Sequence, residues 1–410
     1  MSIPSIDGRG STYTLVWAEE QLQIVVSHIR SHKDGRVLSE LVVTTSREDY
    51  EYPHLLQTSF NLTAARSRTE LAKKLATKYD QLSQDDFDTI LEQLCLRVLE
   101  RFRAGEEAVE LWANDDIVAP SYKLAPLISE GKANIIFGDP GSGKSTLALC
   151  FAVILQLPWT DNPFCLEPKS SKVLYLDWET DYADMAYVLS ALIRGLDLPR
   201  LYISYRRCFM RLADDIEPIR KIIQDGDIDT IIVDSAGLAC GGDLTTPEPV
   251  TNFFTALRSL AVTSIIIHHT TKEAKKRKTP FGSAYFVVQA RTVYEVKSVQ
   301  ETGSNILHIG LFHYKKNIGV RVKPMVWQLT YEDDTIKVEL EDVKDVPGFA
   351  TELPVSVQIR EELSEGPKTV TELAELLDRK QDTISKTLRR LRDSGSIVKL
   401  PEHKWGKRYG

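Results

Sequence analysis

The most constraining feature of this chain is the run Gly138-Asp139-Pro140-Gly141-Ser142-Gly143-Lys144-Ser145-Thr146, set between the apolar run Asn134-Ile-Ile-Phe137 and a helical run beginning at Leu147. It satisfies G-x-x-x-x-G-K-[ST] in the strand-to-helix setting that this pattern requires. Glycines let backbone N–H groups turn inward around an anion, and the following helix points its positive end the same way. The run predicts a nucleotide cradle over Gly138–Thr146, in which Lys144 reaches the β and γ phosphates of ATP and Ser145 ligates Mg²⁺. The plainer alternative is a glycine-rich turn that holds no ligand.

The surrounding sequence suits such a site. From Lys123 to about Leu340, short apolar runs (ANIIFG, KVLYLDWE, TIIVDS, TSIIIHH, RTVYEV, ILHIGLFHY) are each followed by helical or turn segments, the pattern of a sheet with helices packed on it. Several of these runs are apolar without alternation, as parallel strands covered on both faces must be. At 410 residues the chain has room for more than this core, about two to four domains at ~100–200 residues each. Residues 1 to about 115 read as a small α+β domain: three strands between residues 12 and 45, then helices over Leu62–Tyr79 and Asp85–Phe102, with Ser83 and Asp86 at capping-box spacing. After Val346-Pro-Gly a last segment, 353–410, reads as three helices and a basic hairpin, leaving 120–345 for the α/β core.

Composition excludes little else. Hydrophobic residues at 42% and charged residues at 27% are ordinary for a globular chain. The longest apolar stretch, Leu147–Trp159, is too short to span a bilayer, and the amino terminus lacks the pattern of a secretory signal. The expectation is a cytoplasmic protein without membrane contact. Five cysteines in no CxxC pair predict reduced thiols.

Further acids and bases fall at strand ends. KVLYLDWE places Asp177 and Glu179 beside the loop, and Glu179 is the candidate base for the attacking water; either acid could instead cap the next helix. Thr230-Ile-Ile-Val-Asp-Ser235 has the form of a Walker B strand, so Asp234 is the candidate second metal residue. Ser264-Ile-Ile-Ile-His-His-Thr-Thr-Lys272 ends another buried strand in two histidines, one of which can sense a γ-phosphate by hydrogen bond.

In this order the elements resemble the RecA-fold ATPases of the RepA type, the hexameric plasmid replicative helicases, and their AAA-type relatives, over about residues 120–335. The resemblance implies a RecA-like P-loop NTPase core with a mainly parallel sheet. It favours His269 over His268 as the phosphate sensor. It also implies that Arg291, in Phe281-Gly-Ser-Ala-Tyr-Phe-Val-Val-Gln-Ala-Arg-Thr292, is an arginine finger entering a neighbouring subunit's site, with Lys315 of Lys315-Lys-Asn-Ile-Gly319 beside it. That pattern expects a homo-oligomer, a ring of six. The appended terminal segments are not part of the minimal pattern.

Nucleic acid has two candidate contacts. The loop after His269 holds Lys272, Lys275, Lys276, Arg277 and Lys278 against one acid; in RecA-like rings such a loop faces the channel and could follow the phosphates of single-stranded DNA, or it is a solvated charge run. The segment 353–410 is similar to winged helix-turn-helix domains: a helix over Val355–Leu363, a second over Glu372–Leu377 capped by Thr371, a third over Asp382–Leu391 and a wing from Ser396. From Arg379 to Gly410 ten basic residues oppose three acids, a local +7 in a chain of net charge −7. Lys386, Arg389, Arg390, Lys404, Lys407 and Arg408 are the expected duplex contacts. Three functions fit: a DNA-dependent helicase-type motor, an ATP-switched DNA-binding regulator or loader, and a KaiC-like signalling ATPase with no DNA step.

Overall fold

The computed structural model describes every residue except Lys33, Glu106, Glu107, Val109, 111–118, 271–278, 351–352 and 408–410. The chain divides into two compact units, Met1–Ile117 and Val118–Gly410.

In the first unit five strands form an antiparallel meander in chain order: β1 (Ser5–Arg9), β2 (Thr12–Trp17), β3 (Leu22–Ser31), β4 (Val37–Thr45) and β5 (His54–Asn61). The alternation in β4 buries Val37, Leu41 and Val43 on one face, and two helices, α1 (Ala65–Ala76) and α2 (Gln84–Ala104), bring Leu71, Leu75, Ile90, Leu94 and Val98 into the same core. Ser83 and Asp86 form the expected capping box on α2. The reading of three strands is short by two. β1 is too polar and β5 too broken by polar residues to stand out; each is held by pairing with its neighbour. α1 starts after Asn61, whose side chain accepts from the Thr63 N–H at 3.0 Å and turns the chain.

The second unit opens with β6 (Tyr122–Ala125), β7 (Ile128–Ser129), β8 (Ala133–Gly138), helix α3 (Lys144–Gln156) and β9 (Glu167–Pro168); β6, β7 and β9 form a small separate sheet. Next come β10 (Val173–Asp177), α4 (Tyr182–Gly195), β11 (Ser204–Arg207), α5 (Ile216–Gly226), β12 (Thr230–Asp234), α6 (Ala236–Cys240), α7 (Pro247–Leu260) and β13 (Thr263–His269). After α8 (Tyr285–Gln289), β14 (Thr292–Val299), β15 (Ile306–Lys316), β16 (Met325–Glu332) and β17 (Thr335–Glu341) complete a nine-stranded sheet of order β11-β10-β12-β13-β8-β14-β15-β16-β17. Strands β11 through β14 in that order run parallel, and β14 through β17 antiparallel. The loop-bearing strand β8 lies at the centre, between β13 and β14.

Why the central strands lack alternation is visible in their packing. Ile136 of β8 and Tyr175 of β10 face one core with α3, while Ile135, Phe137, Leu174 and Leu176 face another with α7. A fully buried residue of this size contributes about 1.5–3 kcal/mol, so the sheet centre is a rigid floor for whatever its strand ends carry.

The carboxyl-terminal part consists of α9 (Pro347–Ala350), α10 (Val355–Glu365), α11 (Val370–Leu376), α12 (Gln381–Asp393) and a hairpin of β18 (Ile397–Lys399) and β19 (Trp405–Lys407). Ile359, Leu363, Leu373, Ile384, Leu388, Leu391, Ile397 and Trp405 form its core. The cap of α11 is Thr369, not Thr371: the Thr369 hydroxyl accepts from the Glu372 N–H, and Glu372 reaches back to the Thr369 N–H. A capping box needs its acid three residues after the cap, and only Thr369 has that offset. Ahead of these helices, Phe349 packs edge-on against Phe312 of β15, their rings 5.5 Å apart. Gly310 permits this approach, since a Cβ there would lie 2.7 Å from Phe312 and 3.1 Å from Phe349.

Candidate functional site

The cradle follows from its glycines. Between β8 and α3 the backbone turns through positive φ at Gly141 and Gly143, and Gly143, at φ 79°, caps α3 without a side chain. A Cβ on Gly143 would stand 2.5 Å from Ile309 of β15, so the residue is fixed by conformation and by space. Thr270, at the end of β13, donates to the Asp139 carboxylate at 2.6 Å and braces the loop from outside. Lys144 folds back across it, donating to the Asp139 carbonyl at 2.6 Å and toward the Ser142 hydroxyl at 3.4 Å. Burial pulls the Lys144 pKa down, against the attraction of Asp234, Glu179 and Asp139. A buried ammonium whose hydrogen bonds go to a carbonyl and a hydroxyl oxygen suits an anionic ligand.

Asp234 ends β12 and is buried. Its Oδ2 accepts from the Tyr175 hydroxyl at 2.6 Å, while Oδ1 is buried with no hydrogen-bond partner. Desolvation pushes its carboxyl above the usual range, with the Tyr175 and Ser145 hydroxyls working the other way. An orphaned carboxylate oxygen close to Ser145 fits a cation. One hydroxyl and one carboxylate would suit an ion whose remaining ligands are phosphate and water, the habit of Mg²⁺; no cluster of three or more His, Cys, Asp or Glu suited to a metal occurs among the described residues.

Glu179 lies just past β10. Its Oε1 accepts from the Ser235 hydroxyl and from His269 Nε2, the latter at 2.9 Å. The bond from His269, with help from Ser235, outweighs burial and holds the Glu179 carboxyl below its ordinary value. Asp177, two residues earlier, is occupied otherwise: it accepts from the Glu179 and Thr180 N–H groups and from the Thr180 and Tyr205 hydroxyls, with Arg207 at 3.4 Å. It builds the turn that presents Glu179. The two histidines also separate. His268 is buried, its Nε2 2.8 Å from the Phe281 carbonyl and its ring 4.2 Å from that of Phe286, and burial depresses its pKa to about 4. His269 faces the loop.

These side chains meet in one cavity of about 490 Å³, lined by Gly141, Gly143, Lys144, Ser145, Thr146, Glu179, Asp234 and His269, with Ile267, Gln300, Leu307 and Tyr331 completing it. Gln300, Leu307 and Tyr331 escape sequence reasoning because the pairing of β14, β15 and β16 into the sheet brings them to the loop only through tertiary structure. Gly138, Asp139, Pro140 and Ser142 of the loop do not line this cavity, and Gly138 and Ser142 are buried.

Arg291 and Lys315 lie elsewhere. The Arg291 N–H donates to the Ala133 carbonyl at the start of β8, five residues before Gly138, or about 16 Å at ~3.3 Å per residue. Lys315 donates to the carbonyls of Val287, Val288 and Ala290, at 2.6, 3.1 and 2.8 Å, and so closes the carboxyl end of α8. Neither residue touches the phosphate loop of its own chain.

Of the expected nucleic-acid contacts, Lys272, Lys275, Lys276, Arg277, Lys278 and Arg408 lie outside the described residues. Lys386, Arg389 and Arg390 are exposed on α12, opposite the buried Ile384, Leu388 and Leu391. Lys407 is exposed on β19, and Lys404 is partly buried, 3.4 Å from Glu402.

Residues 100–275 match the model of the AAA domain. That stretch holds the phosphate loop, Glu179, Asp234 and His269, and ends before Arg291. Residues 354–398 match the model described as bacterial regulatory protein, arsR family, and cover α10 through α12. No curated protein matches the chain. The chain thus joins a segment similar to an ATPase domain to one similar to a helix-turn-helix regulator. No helix among the described residues is long and apolar enough to cross a membrane.

Proposed function

We propose that this chain hydrolyses ATP and acts on DNA as a RecA-fold motor of the replicative-helicase, RepA-like type, assembled as a ring of six. The observation that carries the proposal is the convergence of Lys144, Glu179, Asp234 and His269, at or just past the carboxyl ends of four parallel strands, on one cavity. Loop amides and Lys144 grip the β and γ phosphates, and Glu179, kept ionised by His269 and Ser235, takes the proton of the attacking water. Mg²⁺, held by Ser145 and Asp234, would neutralise charge between the β and γ phosphates. His269, joined to Glu179 through Nε2 at 2.9 Å, registers the loss of the γ-phosphate by hydrogen bond. Tyr331 and Leu307 offer the base an apolar wall. Arg291 reaches a neighbour's nucleotide, since its own lies a strand's length away, while Lys315 holds α8 beside it.

Turnover measured with and without single- and double-stranded DNA, alongside strand displacement, tests this reading. Stimulation by single strands with displacement is expected; hydrolysis indifferent to every nucleic acid overturns it in favour of a signalling ATPase. The arsR-type match and the exposed bases of α12 favour a second reading, an ATP-switched regulator or loader that binds duplex through a winged helix-turn-helix. Duplex-specific binding without displacement selects it.

A further inference from the structure

A second and larger cavity, of about 1730 Å³, runs along the opposite face of the antiparallel strands, from Asp139 and Thr270 at the shoulder of the phosphate loop to α10 and β19. Its charges are unequal in kind. Each acid on its wall has a partner within the chain: Asp139 accepts from Thr270, Glu295 lies 4.0 Å from Lys297, and Glu341 bonds His308 at 2.7 Å. Asp342 and Glu361 both face Lys344, at 3.8 and 3.3 Å. Four cations on the same wall are exposed and have no ion-pair partner among the described residues: Arg321 and Lys323 from the β15–β16 connection, Arg360 from α10 and Lys407 from β19. Three separate elements thus turn unneutralised positive charge into one groove. Its floor carries Phe312 and Tyr314, alternate residues of β15 on one face, and Lys297 lies over the Phe312 ring at 5.4 Å.

Unpaired cations around an aromatic floor are what a single nucleic-acid strand requires, the cations for its phosphates and the rings for its unstacked bases. We infer that this groove binds single-stranded DNA, with Arg321, Lys323, Arg360 and Lys407 on the backbone and Phe312 beneath a base. The inference rests on the DNA reading above, and it names a surface other than the exposed face of α12. A strand lying there touches the helix-turn-helix segment at one end and the brace on the phosphate loop at the other, so its occupancy can bear on nucleotide binding.

The test is binding of fluorescent oligo-dT to the full chain by anisotropy across a salt series, with folding followed by circular dichroism melting. Four phosphate contacts at about 0.7 each predict that replacing Arg321, Lys323, Arg360 and Lys407 by Ala flattens the log K against log salt slope by about 3, with affinity falling at least tenfold at low salt. Phe312→Leu, which keeps an apolar side chain against Phe349, is expected to weaken binding about five- to a hundredfold with the slope unchanged. Wild-type affinity and slope in the fourfold variant overturn the inference, as does displacement of oligo-dT by poly-glutamate at equal charge. If oligo-dT binding is lost only when Lys386, Arg389 and Arg390 are replaced, the groove is refuted while the DNA reading stands. If the wild type binds neither single strand nor duplex, both fall.

Discussion

One methyl group at Gly143 separates the two reasons for its being glycine. Gly141 and Gly143 both have positive φ, at 75° and 79°, but a Cβ on Gly141 meets nothing within 4 Å, whereas one on Gly143 stands 2.5 Å from Ile309 Cδ1 and 3.3 Å from its Cγ1. Left-handed backbone costs an L-residue about 1–2 kcal/mol, so Gly141→Ala should destabilise the second unit by that amount alone. Gly143→Ala adds overpacking, about 1–3 kcal/mol more. Ile309→Val deletes the offending Cδ1 for about 0.5–1.5 kcal/mol. In the valine background Gly143→Ala should therefore cost only about 1–2 kcal/mol, a coupling of about 1–3 kcal/mol between the two sites. Urea denaturation of the four chains reads the cycle, and ATP binding reads its consequence, with Gly143→Ala weaker than Gly141→Ala and partly restored by Ile309→Val. Equal losses for the two glycines, or a cycle additive to within about 0.5 kcal/mol, would refute the account of how β15 shapes the cradle.

Lys144→Ala should abolish ATP binding in calorimetry, while Glu179→Gln should bind ATP and slow turnover by about 10²–10⁴; a Glu179→Gln chain with unchanged turnover moves the base elsewhere. Arg291→Ala mixed with a Lys144→Ala chain should regain part of the lost hydrolysis if the arginine works across a subunit boundary, and strictly additive rates argue against it. His268 is held neutral with a pKa of about 4, so the unfolded chain binds its proton first as pH falls. Stability should drop from pH ~6.5 toward ~4 by about 3 kcal/mol relative to His268→Leu, which lacks that proton. Parallel pH curves for the two chains would show that burial does not hold this imidazole neutral.

The inner parallel strands can be read in advance because burial on both faces writes each as an apolar run ending at the group it presents: β8 at the loop, β12 at Asp234, β13 at His269. Other strands give no such signal. β11, Ser204-Tyr-Arg-Arg207, is a half-buried edge strand defined by pairing with β10, and the β16–β17 hairpin turns at Asp333, at φ 39°, between strands of mixed polarity. The roles of Asp177 and Glu179 are equally opaque at the level of residue type. Two acids two residues apart look alike until the Tyr205 hydroxyl and the Thr180 N–H are seen to engage the first and His269 the second. Gln300, just past β14, and Leu307 and Tyr331, in β15 and β16, come about 160–190 residues after the loop they face, and no local pattern announces that meeting.

The seat of Phe349 against Gly310 and Phe312 sets where this chain can be divided. Val326, Val343, Val346, Phe349 and Leu353 share one small core with Val299 and Phe312. A protease or an engineer cutting just after β17, where the sheet ends, would strip that cover and leave a sticky apolar strip on the nine-stranded sheet. Shortened versions should therefore retain residues through Leu353, and those that stop earlier should clump.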